Sequence, residues 1–251
     1  MLMLRAPGTN CDFETRVAFE QAGATVDSAL VYELFRGEKK LDDYQILVIP
    51  GGFTYGDDIS AGRIMANEIR LHLGDDIKRF VEDGKLVMGV CNGFQVLVKT
   101  GILPGLNGHG HQPVTLTNND SGKFECRWIH LKVKPDSPCV FTRGIDRMYI
   151  PVNHGEGKLV APPEVMEKLN VVVEYVDEQG NTGAGYPHNP NGSLNDIAGI
   201  CDDTGRIFAL MPHPERFVRW TQHPRWTRET PQETGDGLKI FTNAVAWAKG
   251  I

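Results

Sequence analysis

Cys91 stands between two glycines in Gly89-Val-Cys-Asn-Gly93, where a strand-like run, Lys85 to Val90, meets a helix-like one, Asn92 to Thr100. A nucleophile elbow needs such a turn: the reacting residue sits in a strained conformation and bulky neighbours would clash with it. The turn also places the sulfur at a helix N-terminus, where the dipole and unpaired N–H groups favour thiolate over thiol. The backbone N–H of Asn92 would then face an oxyanion formed on a substrate. A buried cysteine at a tight strand-to-helix turn uses the same glycines, so the turn alone leaves both readings open.

A cysteine nucleophile requires a base, because a free thiol of pKa about 8.5 is only a few per cent thiolate at neutral pH. Of eight histidines, His213 is the best placed, in Ala209-Leu-Met-Pro-His-Pro-Glu-Arg216 after an apolar run. Residues i and i+2 of an extended segment share a side, so Glu215 can hold the His213 ring, and Pro212 and Pro214 stiffen the segment. His-Pro-Glu at a strand end is by itself more often a turn. Together with the elbow it makes a Cys91-His213-Glu215 triad.

These residues need a scaffold, and the first half supplies a pattern of short apolar runs alternating with amphipathic stretches. Strands are predicted at Met1 to Arg5, Gln45 to Ile49 and Leu86 to Val90, and helices at Asp12 to Ala22, Asp76 to Glu82 and Asn92 to Thr100. Gly23 and Gly101 stand where helices end. This is the pattern of an α/β protein with a mostly parallel, flavodoxin-like sheet covered on both faces. From about Val114 extended segments follow at 123–133, 170–176, 196–201 and 206–211, predicting added antiparallel strands on the same sheet. An amphipathic helix carrying Leu238, Phe241, Val245 and Ala248, capped by Asp236, closes the chain. With no linker-like break, one domain over residues 1–251 is expected.

The 251 residues are 41% hydrophobic and 23% charged, with a formal net charge of −6. That balance argues against nucleic acid or an anionic membrane as a partner. Five scattered cysteines with no Cys-x-x-Cys pair suggest neither a disulfide framework nor a zinc ribbon, which fits a cytoplasmic protein. No apolar run approaches the roughly 20 residues that span a bilayer.

Other features read as structural. The Pro50 to Gly56 loop lacks the Gly-Lys-Ser/Thr of a phosphate loop. Adjacent Asp57 and Asp58 suit a solvated or capping role. His109 and His111 have no neighbouring ligand to complete a metal set, so no metal site is expected. Asn119-Asp-Ser121 and Asn191-Gly-Ser193 are glycosylation sequons in form only. The aromatic and basic stretch Arg219 to Arg228 suits packing or a protein partner better than a nucleic-acid strand. Cys11, Cys126, Cys139 and Cys201 have no elbow and are expected to be structural thiols.

Five blocks carry a resemblance: Gly51-Gly-Phe-Thr-Tyr-Gly-Asp57, Gly89 to Gly93, Asn153-His-Gly-Glu-Gly157, Asn189 to Ser193 and Pro212 to Arg216. The chain resembles the class I glutamine amidotransferases and, within them, the glutaminase subunits of phosphoribosylformylglycinamidine synthase. The matches run in order from Arg5-Ala-Pro-Gly-Thr-Asn-Cys11 to Arg216, although the first strand is shorter than the usual pattern. The resemblance implies that Cys91 attacks the side-chain amide of L-glutamine, His213 shuttles the proton and Glu215 orients His213. It implies an oxyanion site at Gly51, Gly52 and Asn92, a substrate contact at Gln95, and backbone around Asn153, His154 and Gly155 holding the amino-acid end. It further implies a synthetase partner carrying ATP and Mg, with a small third subunit in some complexes, and no cofactor in this chain. The alternatives are another class I amidotransferase, a cysteine hydrolase of this fold, or a non-catalytic subunit that binds glutamine.

Overall fold

The computed structural model describes residues 1–106 and 111–250. The chain alternates β1 (Leu2–Arg5), α1 (Asp12–Gln21), β2 (Asp27–Leu30), α2 (Val31–Phe35), β3 (Ile46–Ile49), α3 (Arg63–His72), α4 (Gly74–Glu82), β4 (Leu86–Val90) and α5 (Asn92–Thr100). It continues through β5 (Thr115–Thr117), β6 (Glu125–Val133), β7 (Arg147–His154), β8 (Lys158–Val160), the one-turn α6 (Pro163–Met166), β9 (Asn170–Val176), β10 (Ile197–Cys201) and β11 (Ile207–Leu210). It ends in α7 (Leu238–Ala248).

Nine strands form one sheet in the order β2-β1-β3-β4-β11-β10-β9-β6-β7. From β2 to β11 neighbours run parallel; from β11 to β7 they run antiparallel. The α/β fold expected from the alternating pattern is therefore observed, with the antiparallel strands extending a five-stranded parallel core. β5 and β8 form a separate antiparallel pair.

Burial follows from this layering. Every residue of β3, β4 and β11 is buried, as strands covered on both faces must be apolar throughout. α1 packs against α7 on one face, while α3 packs against α5 and touches α2 and α4. The rings of Phe19 and Phe241 meet edge-on at 4.9 Å between α1 and α7. The indole of Trp247 reaches across to the Gly84 carbonyl at 2.8 Å. Among the described residues no helix is long and apolar enough to cross a membrane.

Besides the short β5, β8 and α6, four elements went unpredicted for identifiable reasons. β2 is a half-polar edge strand, and α2 is a five-residue helix without a full apolar stripe. α3 follows a loop whose left-handed residues hide its start. β7 contains Pro151, which argues against a central strand; β7 lies at the sheet's edge, where proline is tolerated. Asp236 does not cap α7. Its carboxylate instead accepts the Tyr149 N–H of β7 at 2.8 Å, and Gly237 takes the cap position.

Replacing Phe241 by alanine removes a fully buried ring from the α1–α7 seam and should cost about 3–5 kcal/mol. The expected result is a lower denaturation midpoint with an unchanged slope, against little change for Phe13→Ala, whose ring is 74% exposed. Equal effects of the two substitutions would contradict this packing.

Candidate functional site

β1, β3, β4 and β11 are successive parallel neighbours, so the loops after their C-terminal ends share one edge of the sheet. That edge is where open α/β sheets bind ligands. Cys11 follows β1, Gly51 and Gly52 follow β3, Cys91 follows β4, and His213 follows β11.

Cys91 adopts φ 50 and ψ −104, a conformation costing on the order of 1–3 kcal/mol and found where surroundings over-determine it. The surroundings here are close backbone approaches. A Cβ on Gly93 would strike the Ile49 carbonyl of β3, and one on Gly89 would strike the Gly93 carbonyl and Leu97. The Cys91 N–H donates to Leu210 of β11 at 2.9 Å, tying the elbow to the neighbouring strand. The thiol donates to the Asn153 carbonyl at 3.6 Å. It is 6% exposed and opens onto a cavity.

His213 and Glu215 come together as the i, i+2 spacing predicts. Nδ1 lies 2.7 Å from Oε1, and both residues are 1% exposed. Facing a carboxylate, Nδ1 is the donor, which directs Nε2 away from Glu215. Nε2 has no hydrogen-bond partner among the described residues. The His213 backbone N–H donates to the Pro151 carbonyl at 2.8 Å, so β7 helps to seat the ring. Burial pulls the imidazole's pKa down, but the Glu215 charge and the Cys91 and Cys11 sulfurs outweigh it, leaving the pKa well above the usual histidine value. An imidazole with one nitrogen held by a carboxylate and the other facing buried sulfur is placed to hold and return a proton.

Cys11, expected to be a remote structural thiol, belongs to this site. It is buried against His213, and burial pushes its own thiol pKa up. Cys11, His213 and Glu215 offer donor atoms within 4.8 Å of one another. Those donors are already engaged: Nδ1 with Oε1, and Sγ with Nη2 of Arg216 at 3.2 Å. A guanidinium at the sulfur disfavours a metal ion there, so the cluster is a hydrogen-bonded frame around His213. Arg216 extends it by donating to Asn153 Oδ1 at 2.6 Å and pairing with Glu14 at 3.2 Å. The signals for Cys11 in the sequence are its place in the loop after the first strand and at the end of the first matching block, and using them required knowing that β1 lies beside β3.

The cavity, about 420 Å³, is lined by Gly52, Asp57, Cys91, Gln95, Lys123 and Asn153 to Glu156, among others. Gly52 needs the absence of a side chain, since a Cβ would meet the backbone of Gly8 to Asn10. Gly51 faces His213 and Cys11. The Asn92 side chain is buried inside the loop contact: its Oδ1 accepts from Thr54 Oγ1 at 2.7 Å, and its Nδ2 donates to Gln95 Oε1 at 2.9 Å. The Gln95 amide also donates to the Glu156 carbonyl at 2.6 Å, so it is pre-oriented by protein groups on both sides. Gly155 lines the cavity and its carbonyl accepts from the Asn119 N–H at 2.9 Å. The His154 ring is buried beside Asn119 Oδ1 at 3.2 Å, and burial lowers its pKa to about 3, so it stays neutral.

Two features expected to be solvated or incidental are built in. Asp57 is half-buried in the cavity wall, whereas Asp58 is exposed. Asn119 and Asn191 are buried and donate to the carbonyls of His154 and Gly157, at 2.8 and 2.9 Å, so neither sequon offers a free amide. In the Arg219–Arg228 stretch Trp220 and His223 are buried and stacked at 4.9 Å, which is packing as expected. His111 is exposed, and His109 lies outside the described residues. Cys139 and Cys201 are buried, while Cys126 is exposed and accepts from Asn153 Nδ2 at 2.8 Å.

Residues 1–248 match the CobB/CobQ-like glutamine amidotransferase domain family. The chain is 61% identical to the phosphoribosylformylglycinamidine synthase subunit PurQ of Dehalococcoides mccartyi, with 100% of this chain and 98% of the relative aligned. It is 43% identical to the subunit of the same name from Methanococcus maripaludis, over 98% of this chain and 96% of that one. Among solved structures it is similar to PurLQS from Thermotoga maritima, with a TM-score of 0.74, 33% identity, and 98% and 97% of the two chains covered. A Thermoplasma acidophilum structure described as a putative GMP synthase subunit shares the fold alone, at a TM-score of 0.59 and 14% identity over 99% and 94% of the chains.

A histidine whose folded-state pKa lies above its unfolded value of about 6.5 adds stability that is complete below that pH. That contribution is lost as pH rises through the folded pKa. Glu215→Gln removes the charge that holds His213 protonated, so the ring's titration midpoint by nitrogen NMR should fall, and the loss of stability above about pH 6.5 should shrink. An unchanged midpoint would show that Glu215 does not control the ring.

Proposed function

From the premise that the chain belongs to the CobB/CobQ-like glutamine amidotransferase family, as a glutaminase subunit of phosphoribosylformylglycinamidine synthase, we propose that Cys91, His213 and Glu215 form its catalytic triad. The observation carrying this reading is the buried His213, fixed by Glu215 at 2.7 Å, with an Nε2 that has no partner among the described residues.

In the proposed reaction the Cys91 sulfur bonds to the side-chain amide carbon of L-glutamine. His213 holds the thiol proton. The tetrahedral oxyanion is met by the Asn92 N–H, one of the first helical N–H groups without an intrahelical partner, and by N–H groups of the Gly51-Gly52 loop. His213 returns the proton to the departing nitrogen, and ammonia leaves a γ-glutamyl thioester. Water, deprotonated by His213, adds to the thioester carbon, and glutamate leaves as the sulfur recovers its proton. Gln95 and the backbone of Asn153, His154 and Gly155 orient the substrate.

The ammonia serves a synthetase partner that converts formylglycinamide ribonucleotide to the amidine, with ATP and Mg bound on that partner and no cofactor in this chain. Two things support a partner: the relatives are named as subunits, and the Thermotoga maritima relative is a PurLQS structure, whose name joins Q to L and S. The S is the support for a small third subunit. We read the chain as one domain acting in the cytoplasm.

Cys91→Ala should abolish glutamate release while leaving circular dichroism and the denaturation midpoint near those of the wild type. Release at the wild-type rate would remove Cys91 from the reaction. Hydrolysis by the isolated chain should be weak and rise when the synthetase is added, because uncoupled ammonia would be lost to water. A full rate alone, unaltered by the synthetase, would contradict the coupling.

A further inference from the structure

The His213 ring is held at Nδ1 by one hydrogen bond to Glu215, and the outer torsion of a histidine is broad, so that bond alone leaves the ring free to swing. A base must keep Nε2 turned toward its target, which takes a second contact. Gly51 marks where that contact lies. A Cβ placed on Gly51 would lie 2.9 Å from His213 Cε1 and 3.0 Å from the Cys11 sulfur, so ring, backbone and sulfur meet at one spot. Cε1 is the carbon between the two ring nitrogens. With Nδ1 pinned by Glu215, a contact at Cε1 fixes the tilt of the ring and hence the direction of Nε2.

Cys11 is itself held from several sides. Its backbone N–H donates to the Gly51 carbonyl at 3.1 Å, and its carbonyl accepts from Thr15 Oγ1 at 2.6 Å. The thiol donates to Asn10 Oδ1 at 3.3 Å, which leaves the sulfur's lone pairs to accept from Arg216 Nη2 at 3.2 Å. Burial pushes the thiol's pKa up, so Cys11 keeps its proton and does not compete for the one His213 handles. Arg216 closes the short Pro214–Arg216 turn that carries Glu215, so guanidinium and carboxylate share one turn. All three of its nitrogens are used: Nε on Glu14 of α1 at 3.2 Å, Nη1 on Asn153 Oδ1 at 2.6 Å and Nη2 on Cys11. Asn153 in turn offers its carbonyl to the Cys91 thiol. A second, smaller cavity of about 120 Å³ is lined by Cys11, Cys91, Asn153, His213 and Arg216, among others. One planar guanidinium thus reaches both the sulfur beside His213 and the residue that covers Cys91, a geometry a point-charge ammonium does not reproduce.

We propose that Cys11 and Arg216 are positioning residues for His213: Arg216, acting through the Cys11 sulfur, holds the ring against Gly51 so that Nε2 stays turned toward Cys91. This rests on the reading of Cys91 as nucleophile and His213 as base. Neither residue exchanges a proton or bonds the substrate; each acts on the reaction through the ring. Their effect therefore falls on the chemical step, where a displacement of about 1 Å can cost on the order of 10²-fold in rate. Glutamine binding does not depend on them, because the Asn153 backbone is fixed by its pairing with Cys126 in the β6–β7 ladder.

Cys11→Ala removes the sulfur and keeps the backbone bonds to Gly51 and Thr15. In the complex reconstituted with the synthetase, it should lower kcat for glutamate release roughly 10-fold or more while KM for glutamine holds. Arg216→Ala should do the same, and adding Cys11→Ala to it should cost little further, since residues acting as one unit are not additive. Where Arg216→Ala fails to fold, Arg216→Lys takes its place in the cycle, because one ammonium cannot bond Cys11 and Asn153 with the geometry of the fork. Wild-type kcat in Cys11→Ala, or a loss confined to KM, would overturn the positioning role. Losses that multiply in the double variant would overturn the path from Arg216 through Cys11. If His213→Gln released glutamate at the wild-type rate, the base assignment would fail, and the positioning role with it.

Discussion

The site depends on how closely α5 can lie against the end of β3. The elbow holds Cys91 at φ 50 because Gly93 passes directly over the Ile49 carbonyl, a contact any side chain at position 93 would block. That contact fixes three things together. It sets the backbone of Cys91, it aims the first N–H groups of α5 at the space above the sulfur, and it puts the Gly51-Gly52 turn beside them. The packing that stabilises the sheet therefore also maintains the strained conformation of Cys91.

The second determinant is electrostatic, and it works because the site is dry. His213 and Glu215 are almost fully buried, where desolvation alone would favour a neutral imidazole. A carboxylate at 2.7 Å reverses that preference, since a charge pair in a low-dielectric setting outweighs the penalty on the histidine. Arg216 balances the arrangement from behind through Cys11 and Asn153. Its guanidinium also links the first strand's loop to the β7 edge, so hydrogen bonds join the surroundings of His213 to the far wall of the cavity.

Local chemistry was legible in the sequence, and non-local adjacency was not. The elbow glycines, the apolar runs of β3 and β4 and the His213–Glu215 spacing all express short-range constraints, and each appears in the structure as read. The nearness of Cys11 to His213 was not legible because it comes from the strand order, which sets β1 next to β3 although about 40 residues separate them. Asp57 was misjudged for a related reason: a pair of acids on a loop looks solvated until packing from α5 and the β7 end closes over one of them. β7 itself escaped notice because Pro151 weakens its pattern, yet at the sheet's edge that proline removes no needed hydrogen bond.

The antiparallel extension explains why so large a sheet serves so small a site. A parallel core alone delivers Cys91 and His213 from one edge, but it leaves the cavity without an opposing wall. β7 supplies that wall by running back toward the elbow and ending at Asn153 and His154. Its conformation there is held by buried amides, not by apolar packing: Asn119 ties down His154 and Gly157, while Asn191 and Ser193 both reach the Gly157 carbonyl. Buried hydrogen-bonded amides tolerate few alternative geometries, because an unpaired one is costly in a low-dielectric setting. A wall built that way keeps its backbone groups at fixed positions relative to Cys91, which an apolar wall of the same shape would not require.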